Sequence, residues 1–238
     1  MKIVRCEALS RTYQQGSIVV RALDDVTLAI EVGEFTSIAG PSGSGKSTLL
    51  NLIGALDRPT SGKLWVGDQQ INDLNKTQLA DLRLEKIGFV FQSYNLVPVL
   101  SARENVEFIL QLQGVAAGHR REQAMAMLAR VGLSDMHHRR PNELSGGQQQ
   151  RVAIARALAS QPDLLLADEP SANLDSVTTA ELMELLSELN ESLGTTILMV
   201  THDPSVIGYA RRQIHMRDGK IVSDERPNRP TEQATSIA

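Results

Sequence analysis

The sequence predicts an α/β fold with a mainly parallel core sheet, an N-terminal antiparallel β layer and an inserted α-helical subdomain. Three observations carry this. Residues 2 to about 35 alternate apolar and polar positions, the period-2 pattern of strands with one solvated face. The runs DLLLAD (163–168) and TILMVT (196–201) are too uniformly apolar for exposed strands and read as parallel strands covered on both faces. Between these zones, helical patterning dominates from Ser101 to Ala159.

Each element has its own local reason. Gln14-Gln15-Gly16 marks a turn inside the antiparallel layer, and Gly62-Lys63-Leu64-Trp65-Val66-Gly67 adds another short strand to it. GEFTSIA (33–39) is a short apolar strand, and STLLNLIGA (47–55) is an apolar helix. Ser101-Ala102-Arg103-Glu104 is a capping box that opens a helix carrying Val106, Phe108, Ile109 and Leu112. The helix near Arg121 to Val131 bears Ala124, Met127, Leu128 and Val131, a stripe at core spacing, and Gln148 to Ala159 forms the next helix. Asp175 caps a helix with Leu182, Leu185, Leu186, Leu189 and Leu193 on one face, and Gly194 stops it. One domain is expected over residues 1–225, with the helical subdomain at about 95–160. Residues 226–238, rich in Pro, Asn, Thr and Ser, are expected to be a disordered tail.

Between the strand 33–39 and its helix lies Gly40-Pro41-Ser42-Gly43-Ser44-Gly45-Lys46-Ser47, which matches the phosphate-binding P-loop at every fixed position. Gly40, Gly43 and Gly45 allow backbone conformations that a side chain would forbid. The N–H groups can then turn inward around phosphate oxygens at a helix N-terminus, where the dipole also favours negative charge. Lys46 is placed to meet the β- and γ-phosphates, the Ser47 hydroxyl can ligate Mg²⁺, and Thr48 completes the phosphate-binding set. The fold is therefore that of a P-loop NTPase. Where the strand 163–168 leaves the sheet, Asp168 fits the Mg²⁺-holding carboxylate and Glu169 fits the residue that polarises the attacking water. A strand-end salt bridge is the bland alternative, which the P-loop upstream disfavours. His202 ends the strand 196–201 on the ligand-binding side of such a sheet. Leu144-Ser145-Gly146-Gly147-Gln148 is open on residues alone: it fits a plain helix cap and a second anion site equally well.

Composition narrows the partners. Lys and Arg number 24 against 28 Asp and Glu, and a net charge of −4 is a poor footprint for nucleic acid. The single cysteine, Cys6, rules out an intrachain disulfide, suits a reducing compartment, and reads as a small buried side chain. The first residues lack the apolar core of a signal peptide, and no stretch approaches the roughly 18–20 apolar residues needed to span a bilayer. Any membrane part is thus expected on a separate chain. His137-His138-Arg139-Arg140 precedes Pro141 without further ligands at metal spacing and reads as a solvated basic turn.

Taken together, GPSGSGKS, Gln92 after Ile87-Gly88-Phe89-Val90-Phe91, LSGGQ, LLLADE, Ser171-Ala172-Asn173-Leu174-Asp175 and His202 resemble the nucleotide-binding domains of ABC transporters, from about residue 3 to 222. The resemblance implies an ATPase using ATP and Mg²⁺. It also implies a head-to-tail homodimer in which Ser145, Gly146, Gly147 and Gln148 close the partner's site. It further implies that Tyr13 stacks on adenine, although a strand-edge aromatic would look the same. Gln92 would join Ser47 and Asp168 at the metal and couple it to the membrane partner. Asp175 would lie at the dimer seam, and His202 would contact the γ-phosphate.

LLNLIGALDRPTSG (49–62) and IGFVFQSYNLVPVLSARENV (87–106) are similar to the lipoprotein-release and macrolide-export group of that family. The group's usual Thr-Gly after Pro170 is Ser171-Ala172 here. The likeness implies a subunit on the cytoplasmic face of a bacterial inner membrane, driving an integral membrane permease subunit. A regulatory ATPase of the cell-division type is the alternative. A soluble ABC ATPase acting on DNA or ribosomes is disfavoured by the acidic charge, the single domain and the short span between P-loop and LSGGQ. Leu96, Val97, Val99 and Leu100 around Pro98 are expected to form the docking surface for the membrane subunit.

Overall fold

The computed structural model describes residues 1–227. Most of the expected tail therefore lies outside the described residues, although Arg226 is held by an ion pair to Glu34 at 2.7 Å. The antiparallel layer begins as a hairpin of β1 (Lys2–Gln15) and β2 (Ile18–Glu31). It reverses at Gly16, whose φ of 63° carries no steric cost without a Cβ. β3 (Phe35–Ala39), buried along its whole length, leads into α1 (Lys46–Ile53). β4 (Ser61–Val66) and β5 (Gln69–Gln70) return to complete a four-stranded sheet in the order β2-β1-β4-β5.

α2 (Lys76–Lys86) precedes β6 (Ile87–Phe91). Only Leu79 and Leu82 of α2 are buried, so the periodicity that would have announced this helix is nearly absent. α3 (Ala102–Leu112) opens on the Ser101–Glu104 capping box. α4 (Ala117–Arg130) starts four residues before its expected beginning at Arg121, because its first turn is entirely polar or small. α5 (Gly146–Ala159) includes the two glycines that the sequence placed in the turn before it.

The chain then alternates β7 (Leu164–Asp168), α6 (Ser176–Leu193), β8 (Thr196–Thr201), a short α7 (Pro204–Ile207), β9 (Arg212–Arg217) and β10 (Lys220–Glu225). The six-stranded sheet has the order β10-β9-β3-β8-β7-β6; all neighbours are parallel except the β9/β10 hairpin. Successive residues of its central strands enter different cores. Leu164 and Leu166 pack with α1 and the antiparallel layer, whereas Leu165 and Ala167 pack with α3, α4, α5 and α6. That two-sided burial is why β7 and β8 read as unbroken apolar runs. Cys6 lies in the first core, where burial pushes its thiol up to about 12.

β9 and β10 lacked such a signal. Arg212 is only 7% exposed, in the middle of what is otherwise a core position. Its guanidinium grips both oxygens of Asp224 at 2.8 and 2.7 Å and also donates to Glu34 and to the Ala29 carbonyl. A buried arginine is tolerated because every face of the fork finds an acceptor.

Candidate active site

The C-terminal ends of β3, β7 and β8 converge on a cavity of about 640 Å³. Tyr13, the loop from Ser42 to Thr48, Gln92, Glu169 and His202 all line it, as do Val20, Arg21 and Ala22 of β2. Gly45 caps α1 with φ 98° and supplies no side-chain cap, so the first-turn N–H groups of α1 remain for a ligand. A Cβ on Gly45 would strike the Ala22 carbonyl, and one on Gly40 would strike the Met216 carbonyl. The loop is thus wedged between a bulge in β2 and the end of β9, which only glycine permits.

Lys46 is 7% exposed and folds its ammonium over the loop, donating to the carbonyls of Gly40 and Pro41 at 2.8 and 2.9 Å. Ser47 donates its hydroxyl to Asp168 at 3.2 Å, joining the P-loop to the end of β7. Burial pushes the Asp168 carboxyl above the usual range and the charge of Glu169 adds to this, while Ser47 and Lys46 pull the other way. A hydroxyl beside a carboxylate that gains from a nearby cation is a hard oxygen donor set, and it suits Mg²⁺. No group of three or more His, Cys, Asp or Glu able to hold a metal occurs among the described residues, so such an ion would depend on a substrate's oxygens as well.

Glu169 stands in the left-handed region at φ 49°, its N–H bonded to the Val200 carbonyl of β8. That conformation, costly for a side-chain residue, turns its carboxylate into the cavity mouth. Its Oε1 lies 2.7 Å from Nδ1 of His202. The acidic strand end thus finds its side-chain partner in a histidine on the cavity wall, through a hydrogen bond. Gln92 is exposed at the cavity edge and its carbonyl accepts from the Asn173 amide at 2.9 Å.

A second cavity, of about 730 Å³, is larger but lies at the opposite end of the sheet, lined among others by Met1, Lys86, Asp163 and Gly194. It contains none of the loop residues, and its Lys86 ammonium is paired with Asp163 at 3.0 Å. The P-loop, Glu169 and His202 all line the smaller cavity.

Ser145, Gly146, Gly147 and Gln148 do not line that cavity. Ser145 caps α5 by accepting from the Gln148 N–H at 3.2 Å, and the Gln148 side chain accepts from the Ser145 N–H at 3.0 Å. Both glycines sit where neighbouring side chains approach closely. A Cβ on Gly146 would lie 2.8 Å from the Tyr94 hydroxyl, and one on Gly147 would lie 2.5 Å from the Thr178 methyl of α6. Tyr94 and Asn95 both adopt positive φ, and Arg156 of α5 clamps their carbonyls at 2.9 and 2.5 Å.

The expected docking cluster is corrected in part. Leu96 packs against the helical core, and Asn105, wholly buried, bonds Val97 N–H together with the carbonyls of Val97, Leu100 and Ser101. The apolar side chains left in water in this region are Val99, Phe108 and Leu112. Sequence reasoning missed them as a set, although Phe108 and Leu112 stand one turn apart on α3. It also missed Arg11 and Asp57. The Arg11 guanidinium carbon lies 4.4 Å from the centre of the Tyr13 ring, and Asp57 accepts a hydrogen bond from the Tyr13 hydroxyl at 2.8 Å.

A glycine loop at a helix N-terminus, a buried lysine and an acidic strand end on one cavity define a nucleotide-binding P-loop protein. The family model described as ABC transporter matches residues 23–172, and this chain belongs to that family and carries its ATPase domain. It is 50% identical over 222 residues to a macrolide export ATP-binding/permease protein, MacB, of Hyphomonas neptunium. That match covers 93% of this chain and 34% of MacB, so the chain spans about a third of that relative's length. An ABC transporter ATP-binding protein of Methanocaldococcus jannaschii, MJ0796, is 46% identical, with 94% of this chain and 97% of that protein covered. The dimeric structure of MJ0796 in a post-hydrolysis state, bound to ADP and Pi, matches with a TM-score of 0.86 at 46% identity, covering 94% of this chain and 98% of that one.

Proposed function

We propose that this chain is the ATP-hydrolysing subunit of an ABC transporter of the lipoprotein-release or macrolide-export type, acting as a head-to-tail homodimer on a separate membrane permease. One observation carries the reading. The P-loop, Glu169 and His202 line one cavity, with Asp168 hydrogen-bonded to Ser47 beside it, while the Ser145–Gln148 helix start takes no part in that lining within the same chain. A second copy would bring that helix start to the phosphates, and the relative MJ0796 has been solved as a dimer with ADP and Pi. No helix among the described residues is long and apolar enough to cross a membrane. A peripheral position on the cytoplasmic face of a bacterial inner membrane, without nucleic acid, fits the acidic surface and the MacB likeness.

In this reading the loop N–H groups, with Thr48 behind them, and the Lys46 ammonium hold the β- and γ-phosphates of ATP. Ser47, Asp168 and Gln92 hold Mg²⁺, which when bound neutralises phosphate charge and orients its oxygens. Glu169 polarises the attacking water, and His202, braced against it, steadies the γ-phosphate. The protein supplies position and charge rather than covalent chemistry. Val99, Phe108 and Leu112 are the apolar surface offered to the permease.

Complementation tests the shared site. Lys46→Ala disables one side and Ser145→Arg the other, so neither homodimer keeps an intact site. An equimolar mixture should recover about a quarter of the wild-type ATPase rate, since half of random dimers are mixed and each keeps one good site of two. Verified mixed dimers with no recovery would place the whole site in one chain or require both sites together.

A further inference from the structure

We propose that Arg11 and Asp57 are positioning residues for base recognition, clamping Tyr13 so that one face of its ring stays turned to the nucleotide. This rests on the reading that Tyr13 stacks on the base. Arg11 lies over the Tyr13 ring but does not line the cavity, whereas Tyr13 does. The guanidinium therefore covers one face, and the uncovered face is the one left to a purine. Stacking on an arginine plane is favourable in itself, and it also blocks the rotation that would fold the ring away.

Asp57 locks both partners. Its Oδ2 accepts from Arg11 Nε at 2.9 Å and from the Tyr13 hydroxyl at 2.8 Å. Its Oδ1 accepts from Arg11 Nη2 at 2.8 Å and from the Arg58 N–H at 2.7 Å. The backbone of Leu56 and Asp57 is in turn tied to the Asn51 carbonyl at the end of α1. Phosphate cradle and base platform thus hang on opposite ends of one helix, so their separation is set by α1 rather than by a loop. The side chains of Arg11 and Asp57 are 23% and 27% exposed, and a pair so placed adds little stability of its own. What it supplies is order. Base stacking on an aromatic ring otherwise pays for fixing that ring, and here the ring is fixed beforehand.

Calorimetric titration with ADP and with pyrophosphate separates base from phosphate binding without hydrolysis. Tyr13→Ala should weaken ADP about tenfold, the loss of one base stack, and leave pyrophosphate unchanged. Arg11→Met and Asp57→Asn should each weaken ADP about fivefold with pyrophosphate again unchanged, a selectivity that general loosening would not produce. Because Arg11 acts through Tyr13, the double variant Arg11→Met/Tyr13→Ala should bind ADP no more weakly than Tyr13→Ala alone. If Asp57→Asn does not fold, Arg11→Met and Tyr13→Phe carry the test, since both leave the carboxylate in place. Wild-type ADP affinity in Arg11→Met, alongside a weakened Tyr13→Ala, overturns the positioning role while base stacking stands. Wild-type affinity in Tyr13→Ala overturns base stacking itself and the proposal with it.

Discussion

The phosphate cradle and the Ser145–Gln148 turn are both helix N-termini, and they are built in opposite ways. α1 starts on Gly45 without a side-chain cap, whereas α5 starts on Ser145 with a complete capping box. Around α1, a buried ammonium and the ends of β7 and β8 converge on the open N–H groups. Around α5, the glycines are pressed against Tyr94 and Thr178, and no charged side chain is within its cap. The same dipole therefore opens onto a cavity in one case and is met by its own capping box in the other. A helix end becomes a binding site through what its neighbours aim at it.

Variants can break that comparison, beginning with the largest effect. Glu169→Gln removes the carboxylate at the cavity mouth and leaves the loop intact. ATP hydrolysis should fall by about a thousandfold while ADP affinity stays within error; near-normal turnover would remove Glu169 from the mechanism.

The two helix starts should then respond differently to the same assay. Lys46→Met should weaken ADP by at least about tenfold, because the ammonium facing the phosphates is lost. Ser145→Arg should leave ADP affinity unchanged and still reduce ATPase activity about a hundredfold. Weakened ADP binding in Ser145→Arg would mean that the turn contributes to its own chain's cavity and that the contrast is false.

The smallest effect concerns the frame beneath the cradle. The Met216 carbonyl of β9 abuts Gly40, and Arg212 ties β9 to β10 and to Glu34. Arg212→Met should lower stability by about 3 kcal/mol at pH 7, since it leaves Asp224 without its partner and Glu34 with Arg226 and the Glu31 N–H only. The hydrogen bond from Arg212 holds Asp224 below the usual carboxylate range. Burial pushes Glu34 up, but Arg226, the Glu31 N–H and Arg212 together bring it below its ordinary value. Both contributions are present above the unfolded values and are lost as pH falls through the lower folded ones. The gap between wild type and variant in chemical denaturation should therefore close below about pH 4. A gap independent of pH would show that Arg212 acts by packing alone.

The elements legible in the sequence share one property: their signal is local. The P-loop is a fixed run of glycines between a strand and a helix, and the Ser101 and Asp175 caps lie within three residues of the groups they satisfy. β7 and β8 announced themselves because both faces are covered, leaving polar residues only at the ends of each run. α2 did not, having two buried residues, and β9 hides a core position behind a charged name. Leu96 and Val99 look alike as letters three apart, yet one packs inward and the other stands in water.

By itself, then, the sequence determined the phosphate loop, the acidic strand end, the capped helices and the family, since backbone stereochemistry and period act over a few residues. Only the tertiary structure decided that His202 meets Glu169, that Asp57 and Arg11 hold Tyr13, and that the Ser145 turn does not line the cavity of its own chain. The Glu169–His202 and Tyr13–Asp57 pairings join residues far apart in the chain. Their geometry depends on strand order and helix packing, which no short run of residues encodes.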